Sequence, residues 1–261
     1  MTNSLSDKVA LVTGASQGLG HRFAQTLANA GATLVIASRN TQALEDLSQR
    51  ITSNGGTAYV VKLDVTDIAS IQTAVTEAIT RAGTIDILIN NAGLAVNALV
   101  RDTTPEDFDL VMNTNVRGAY FMAKHAGDHM QKKGHGKIVN ISSVLGDYVM
   151  PGVSAYCMSK SAISQMTKAM ALEFSRNNVQ VNALAPGFVH TEINAQFFAT
   201  PRGQEIIGRF PGGELQQPEN LDSTLLFLAS SASDHLTGVT LNVDNGQSLG
   251  AFQATTKRET T

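Results

Sequence analysis

Two kinds of apolar pattern alternate along the chain. Short β-branched runs, apolar along their whole length, occupy 8–13 (KVALVT), 33–37, 58–63, 85–90, 137–141, 179–185 and 239–243. Between them, stretches at 21–30, 41–54, 68–81, 107–132, 155–176 and 221–229 repeat apolar residues at the spacing of a helix face. Leu44, Leu47 and Ile51 mark such a face, and Gly55 and Gly56 end it. Strands that are apolar throughout, rather than on alternate positions, belong in a sheet covered on both sides. The alternation therefore predicts an α/β fold, a doubly wound parallel sheet in three α/β/α layers.

No linker, charge run or repeat of fixed period divides 1–261, which reads as one domain. One stretch breaks the regularity. Between His190 and Asn220, Pro201, Pro211, Pro218 and the pair Gly212 and Gly213 interrupt the apolar residues Ile193, Phe197, Phe198, Ile206, Ile207 and Phe210. A long, partly apolar connection leaving the carboxyl end of a strand is expected to be a substrate lid. Residues 251–261 read as a solvated tail.

Composition narrows the function classes. A chain of 261 residues with 43% hydrophobic content can bury a large core. With 19 Lys plus Arg against 22 Asp plus Glu, no basic face for a nucleic-acid partner is expected. The single Cys can form neither an internal disulfide nor a cysteine-rich zinc site. The apolar runs end well short of the roughly 18 residues of a membrane helix. The opening residues, MTNSLSDKVA, lack the basic and apolar regions of a signal peptide, so the expected compartment is the cytoplasm.

Candidate chemistry begins at the first strand-to-helix turn, where Gly14, Ser16, Gln17, Gly18, Leu19 and Gly20 form a glycine-rich segment. Such a turn lets the backbone approach a pyrophosphate, whose charge meets the free N–H groups of the helix start. At the end of the second strand stand Ser38 and Arg39. An acidic residue there would bind ribose hydroxyls and repel a 2′-phosphate, whereas a hydroxyl and a fixed cation attract it. NADP(H) is the expected cofactor, with NAD(H) as the weaker alternative. Gln17 stands where a second basic residue would strengthen that preference.

Tyr156 and Lys160 lie four residues apart on the long helix at 155–176, hence on one face. Ser143 follows the strand at 137–141, and Asn115 sits in the helix before it. Residues just past the carboxyl ends of parallel strands line the ligand crevice. From about Ser6 to Gly250 the chain resembles the short-chain dehydrogenase/reductase family, on TGASQGLG at 13–20, Asp64-Val65, NNAG at 90–93, Asn115 in NTNVRG, Ser143 in ISS, YCMSK at 156–160, and Pro186-Gly187 with Thr191. The resemblance implies a Rossmann-type domain without a separate substrate domain, commonly a homotetramer. It implies that Asp64 and Val65 hold the adenine and that Asn91, Ala92 and Gly93 line the central crevice. Pro186, Gly187, Val189 and Thr191 would meet the nicotinamide carboxamide. Asn115 would hold a water linking Lys160 to solvent.

Residue type then supplies the chemistry. A ketone that accepts hydride develops negative charge on its oxygen and needs a donor and a proton. Ser143 is expected to hold the carbonyl and Tyr156 to supply the proton. Lys160, with the charge of the oxidised nicotinamide, is expected to lower the phenol's pKa from near 10 and to hold the nicotinamide ribose.

The substrate pocket is expected from Leu94, Val96 and Asn97 after the fourth strand, Val144, Leu145, Tyr148 and Met150 after Ser143, Phe188, and the lid residues Phe197 and Phe198. These are chiefly apolar, which suits a hydrophobic or bulky carbonyl compound better than a free sugar or small acid. Within the family the chain looks most like 3-oxoacyl-acyl-carrier-protein reductases. Gly134, however, replaces a basic residue often used to dock the acidic carrier, leaving Arg176 as one such contact. The expectation is thus an NADPH-dependent carbonyl reductase yielding a chiral secondary alcohol. A 3-oxoacyl-thioester reductase is the alternative, and a non-catalytic dinucleotide sensor is the alternative of another class. Retention of Tyr156 and Lys160 speaks against the sensor.

Three features are set aside. His125 and His129 have metal-ligand spacing but no acidic third ligand in pattern, so no metal is expected. Cys157 reads as a small packing residue, and Arg101 and Asp102 as solvated. Asn245 in Asp244-Asn245-Gly246 stands where relatives usually carry glycine; since this turn often meets other subunits in the family, it bears on assembly.

Overall fold

A computed structural model describes residues 5–192 and 194–249. Seven parallel strands form one sheet in the order β3-β2-β1-β4-β5-β6-β7. They are β1 (Val9–Thr13), β2 (Thr33–Ser38), β3 (Ala58–Lys62), β4 (Ile87–Asn90), β5 (Gly136–Ile141), β6 (Val179–Pro186) and β7 (Thr240–Val243). The helices are α1 (Gly18–Asn29), α2 (Thr41–Ser53), α3 (Ile68–Ala82), α4 (Pro105–Met112), α5 (Ala119–Lys133), α6 (Ser154–Phe174), α7 (Ala195–Phe198), α8 (Pro201–Ile207) and α9 (Asp222–Ala229). This is the expected doubly wound, Rossmann-like architecture. The continuous apolar runs have the expected cause: β1, β4, β5 and β6 are buried at every position, whereas the edge strands β3 and β7 are not.

Alternation within each strand divides the core. Leu11, Val35, Leu88 and Ile138 join Ile71, Met122, Ile163 and Met170 of α3, α5 and α6 on one face. Val12, Ile36, Ile89 and Val139 join Phe23, Leu44, Leu47 and Leu225 of α1, α2 and α9 on the other. At the amino ends of the strands, buried Asp86 accepts from the Val9 N–H at 2.8 Å and pairs with Lys133 and, at 3.2 Å, with His135. Burial alone would raise its pKa, yet the Lys133 and Val9 hydrogen bonds, with the Lys133 charge, hold it below the usual carboxylate range.

Two boundaries depart from the pattern. The helix expected from 21 begins at Gly18, inside the glycine cluster. The single helix expected over 107–132 starts at Pro105, capped by Thr104, and is interrupted by a π turn at Asn113–Gly118. A hydrophobic period cannot register a widened turn, and such turns recur at functional sites. The stretch expected to be a lid contains α7 and α8, the latter capped by the Thr200 hydroxyl. Ile193 and the tail at 251–261 lie outside the described residues. Among the described residues, no helix is long and apolar enough to cross a membrane.

Candidate active site

The strand order reverses between β1 and β4, the switch point where open α/β sheets bind ligands at their carboxyl ends. Thr13, ending β1, ties the two sides together: its hydroxyl accepts from the N–H groups of Asn91 (2.9 Å) and Ala92 (3.0 Å). The Asn91 side chain donates to the Thr13 carbonyl at 2.9 Å. Gly14 and Gly18 hold φ of 66° and 56°, a region that favours glycine. A Cβ on Gly20 would fall 2.3 Å from the Gly14 carbonyl oxygen and 2.5 Å from Asn91 Nδ2. Gln17 makes no side-chain cap at the start of α1, and helix-start N–H groups without a cap are where an anion binds.

At the end of β2, the Ser38 hydroxyl takes part in a local turn. It accepts from the Asn40 N–H at 3.1 Å and donates to the Asn40 carbonyl at 3.2 Å, and the residue is buried. Arg39 is exposed beside it. Asp64 accepts from the Thr66 hydroxyl (2.7 Å) and N–H (3.0 Å). Those bonds, then the Arg39 charge, hold its carboxyl below its usual range.

Asn115 points inward from the π turn and forms a two-way pair with Leu94, accepting from its N–H at 2.9 Å and donating to its carbonyl at 2.8 Å. Its second amide hydrogen reaches the Ser159 hydroxyl at 3.0 Å. Both side-chain hydrogens therefore go to protein, and the side chain fixes the loop after β4. Positions around Gly93 bring the group together: a Cβ there would lie 3.3 Å from Asn115 Oδ1 and 3.6 Å from Lys160 Nζ.

Lys160 and Tyr156 share a face of α6 as expected, with Nζ 5.5 Å from the centre of the Tyr156 ring. The Lys160 ammonium donates to the Ile141 carbonyl at 2.8 Å, not to the phenol. In the protein by itself, burial dominates both groups. Burial raises Tyr156 above its ordinary value, and the hydrogen bond with Ser143 opposes that rise without cancelling it. Burial alone lowers Lys160 from 10.5 to about 8. Ser143 caps a short helical turn, accepting from the Leu145 N–H at 3.1 Å.

Around Tyr156 the structure assembles an apolar cluster of Leu145, Val153 and Cys157, with Tyr148, Met150 and Phe188 packed on it. The loop after β4 reaches it where the Ala98 N–H donates to the Gly152 carbonyl at 2.9 Å. Leu94 and Val96 are half-buried there and Asn97 is exposed. Two of the expected pocket residues are deeply packed. Val144, in the Ser143-capped turn, is only 1% exposed. Phe198 is buried edge-on against Phe188, with ring centres 6.0 Å apart, while Phe197 is 45% exposed. Phe210, expected in the lid but not in the pocket, stacks on Phe188 at 5.3 Å, and two residues outside the sequence expectation join it: Val153, and Gln247, whose Oε1 accepts from the Phe188 N–H at 2.7 Å. Phe210 carried a signal, as an apolar residue between prolines; a glutamine in the terminal turn carried none.

At the end of β6, Pro186 and Val189 are buried while Gly187 and Thr191 are half-open. A Cβ at Gly187 would meet Gln247 Oε1 at 2.5 Å, so glycine is required for this close approach. Val65 is buried in the core near α3. His129 Nε2 lies 3.1 Å from the Thr84 hydroxyl, and His125 stacks on Phe121. Cys157 is buried.

Residues 8–202 match the family model for short chain dehydrogenases, and the chain belongs to this family of oxidoreductases. It is 38% identical over 244 residues to a gluconate 5-dehydrogenase of Gluconobacter oxydans, covering 93% of this chain and 95% of that protein. It is 35% identical to the 3-oxoacyl-[acyl-carrier-protein] reductase FabG of Thermotoga maritima, covering 93% and 98%. The crystal structure of a gluconate 5-dehydrogenase from Burkholderia cenocepacia, in complex with NADP and tartrate, superposes with a TM-score of 0.91 at 36% identity, covering 95% and 98% of the two chains.

Proposed function

We propose that this oxidoreductase is an NADPH-dependent carbonyl reductase that converts a hydrophobic or bulky ketone to a chiral secondary alcohol. The observation that carries the reading is the apolar cluster of Leu145, Val153, Tyr148, Met150 and Phe188 built directly around Tyr156. A ketone entering it exchanges water for apolar surface while its oxygen meets the Ser143 and Tyr156 hydroxyls.

The close approaches at Gly14 and Gly20, the left-handed φ of Gly14 and Gly18, the uncapped start of α1 and exposed Arg39 fit a dinucleotide carrying a 2′-phosphate. Asp64 and Val65 would hold its adenine, Asn91 to Gly93 its centre, and Pro186, Gly187, Val189 and Thr191 its carboxamide. When bound, the nicotinamide supplies the hydride. Ser143 orients the carbonyl oxygen, and Tyr156 delivers a proton to it. The raised phenol stays protonated at neutral pH, which suits an acid in the direction of reduction. Buried Lys160, held by the Ile141 carbonyl, keeps a positive charge beside the phenol, and Asn115 holds the Leu94 loop over them.

The relatives supply two other substrate classes to test, a 3-oxoacyl thioester and a hydroxylated sugar acid. Cofactor consumption by the purified protein, followed across aryl ketones, β-keto esters, an acetoacetyl thioester and gluconate with NADP(H) and NAD(H), separates them. Turnover confined to the thioester or to gluconate replaces the ketone reading, and cofactor binding without any turnover favours a sensor.

The chain acts as one dinucleotide-binding domain and assembles as a homotetramer. Large apolar side chains stand exposed on α4 (Phe108, Leu110), α5 (Tyr120) and α6 (Met158, Leu172), surface that subunit contacts would cover. The one cysteine, buried, suits the reducing cytoplasm.

A further inference from the structure

Phe188 is the joint between the apolar cluster around Tyr156 and the rest of the lid. Its N–H donates to Gln247 Oε1 at 2.7 Å, its carbonyl accepts from the Gln216 N–H at 3.1 Å, and its ring stacks on Phe210 at 5.3 Å. Gln247 is 7% exposed, and its Nε2 has no partner among the described residues, so its one side-chain bond is the hold on Phe188. The turn that carries Gln247 is itself rigidly made. The Asp244 carboxylate accepts from the N–H groups of Gly246 (3.0 Å) and Ser248 (2.7 Å), and Asn245 takes a φ of 51°. On the lid side of this turn, a Cβ built on Gly212 would lie 2.0 Å from Asn245 Nδ2, and one built on Gly246 would touch Pro211 at 3.7 Å. The Asn245 side chain thus occupies the space that a Cβ at position 212 would enter and has to be displaced for it to do so.

We propose that the turn Asp244–Gln247 is the seat of the substrate lid, with Asn245 as a positioning residue that, through Gly212 and the Phe210–Phe188 stack, sets the room left for a carbonyl substrate. The proposal rests on the ketone-reductase reading of the cleft. Asn245 and Gly212 touch no reacting atom; they fix where Phe210, and hence Phe188, stands.

A double-mutant cycle tests it. Asn245→Gly keeps a residue able to hold the left-handed conformation and removes only the side chain. Gly212→Ala adds only the Cβ, at a position whose φ suits alanine. Contacting residues couple, so Gly212→Ala is expected to raise KM for a bulky aryl ketone about tenfold in the parent protein and under about twofold in the Asn245→Gly background. In both, kcat and the KM for NADPH stay near the parent's values. Equal effects of Gly212→Ala in the two backgrounds, or a loss confined to kcat, would overturn the proposal. Hydrogen exchange provides a readout independent of turnover: amides at 206–213 should exchange faster in Asn245→Gly than in the parent at unchanged melting temperature. Unchanged exchange there would also overturn it. Faster exchange in a protein that reduces no ketone would leave the seat standing and remove only the substrate reading.

Discussion

Lys160 Nζ lies 5.5 Å from the centre of the Tyr156 ring and spends its hydrogen bond on the Ile141 carbonyl, at 2.8 Å. The ammonium is anchored to the end of β5, not to the phenol it accompanies. Burial then moves the two groups in opposite directions, Tyr156 upward and Lys160 down to about 8. Each shift disfavours the charged form, as desolvation requires.

A pH profile follows from these shifts. Lys160 loses its charge as pH rises through about 8, while the phenol keeps its proton beyond that point. Measured on ketone reduction, kcat/KM is expected to be flat near neutrality and to fall above about 8. A profile that rises through this range would mean that the deprotonated lysine is the active form.

Stability carries the opposite sign. Folded Lys160 releases its proton near pH 8, whereas the unfolded lysine holds it to 10.5, so the unfolded chain binds more protons between those values. The lysine's contribution to stability therefore rises with pH across that window. Lys160→Met removes the buried charge and is expected to raise the melting temperature at neutral pH by about 2–4 °C while abolishing turnover. A lower melting temperature would show that the bond to Ile141 outweighs desolvation.

Arg39→Ala tests the cofactor preference. With the Ser38 hydroxyl tied to Asn40, the exposed guanidinium is the cation left to meet a 2′-phosphate. Its loss is expected to raise KM for NADPH by about tenfold and to leave KM for NADH within about twofold, the difference of one charge-assisted contact. Equal changes for both cofactors would contradict the role.

Asp86 is a stability element remote from the cleft. Asp86→Ala takes the carboxylate from Lys133, which keeps its bonds to Thr84 and Ile85, and leaves the Val9 N–H without its acceptor; it is expected to cost about 1–3 kcal/mol in urea denaturation with kcat preserved. Because its folded pKa is depressed, this contribution is present above the ordinary carboxylate range and lost as pH falls through the folded value. A loss of kcat at unchanged stability would contradict this assignment.

The parts legible in the sequence were those with a repeating physical cause. Strands buried on both faces produce unbroken apolar runs, and Val12, Ile36 and Ile89 facing one helix layer while Leu11, Val35 and Leu88 face the other explains why β1, β2 and β4 were readable. The juxtaposition of Tyr156 with Lys160 followed from helical spacing. What escaped notice depends on single contacts: the π turn that brings Asn115 to Leu94, the Asn40 turn that occupies Ser38, and the hold of Gln247 on Phe188.

Reduction of an aryl ketone by NADPH, compared between the parent protein and Tyr156→Phe, tests the central claim most directly. Tyr156→Phe keeps the ring in its apolar cluster and removes only the proton donor. The account predicts turnover by the parent, a loss of about 10²- to 10⁴-fold in the variant, and unchanged NADPH affinity by titration. Reduction by the variant at the parent's rate would show that another group delivers the proton.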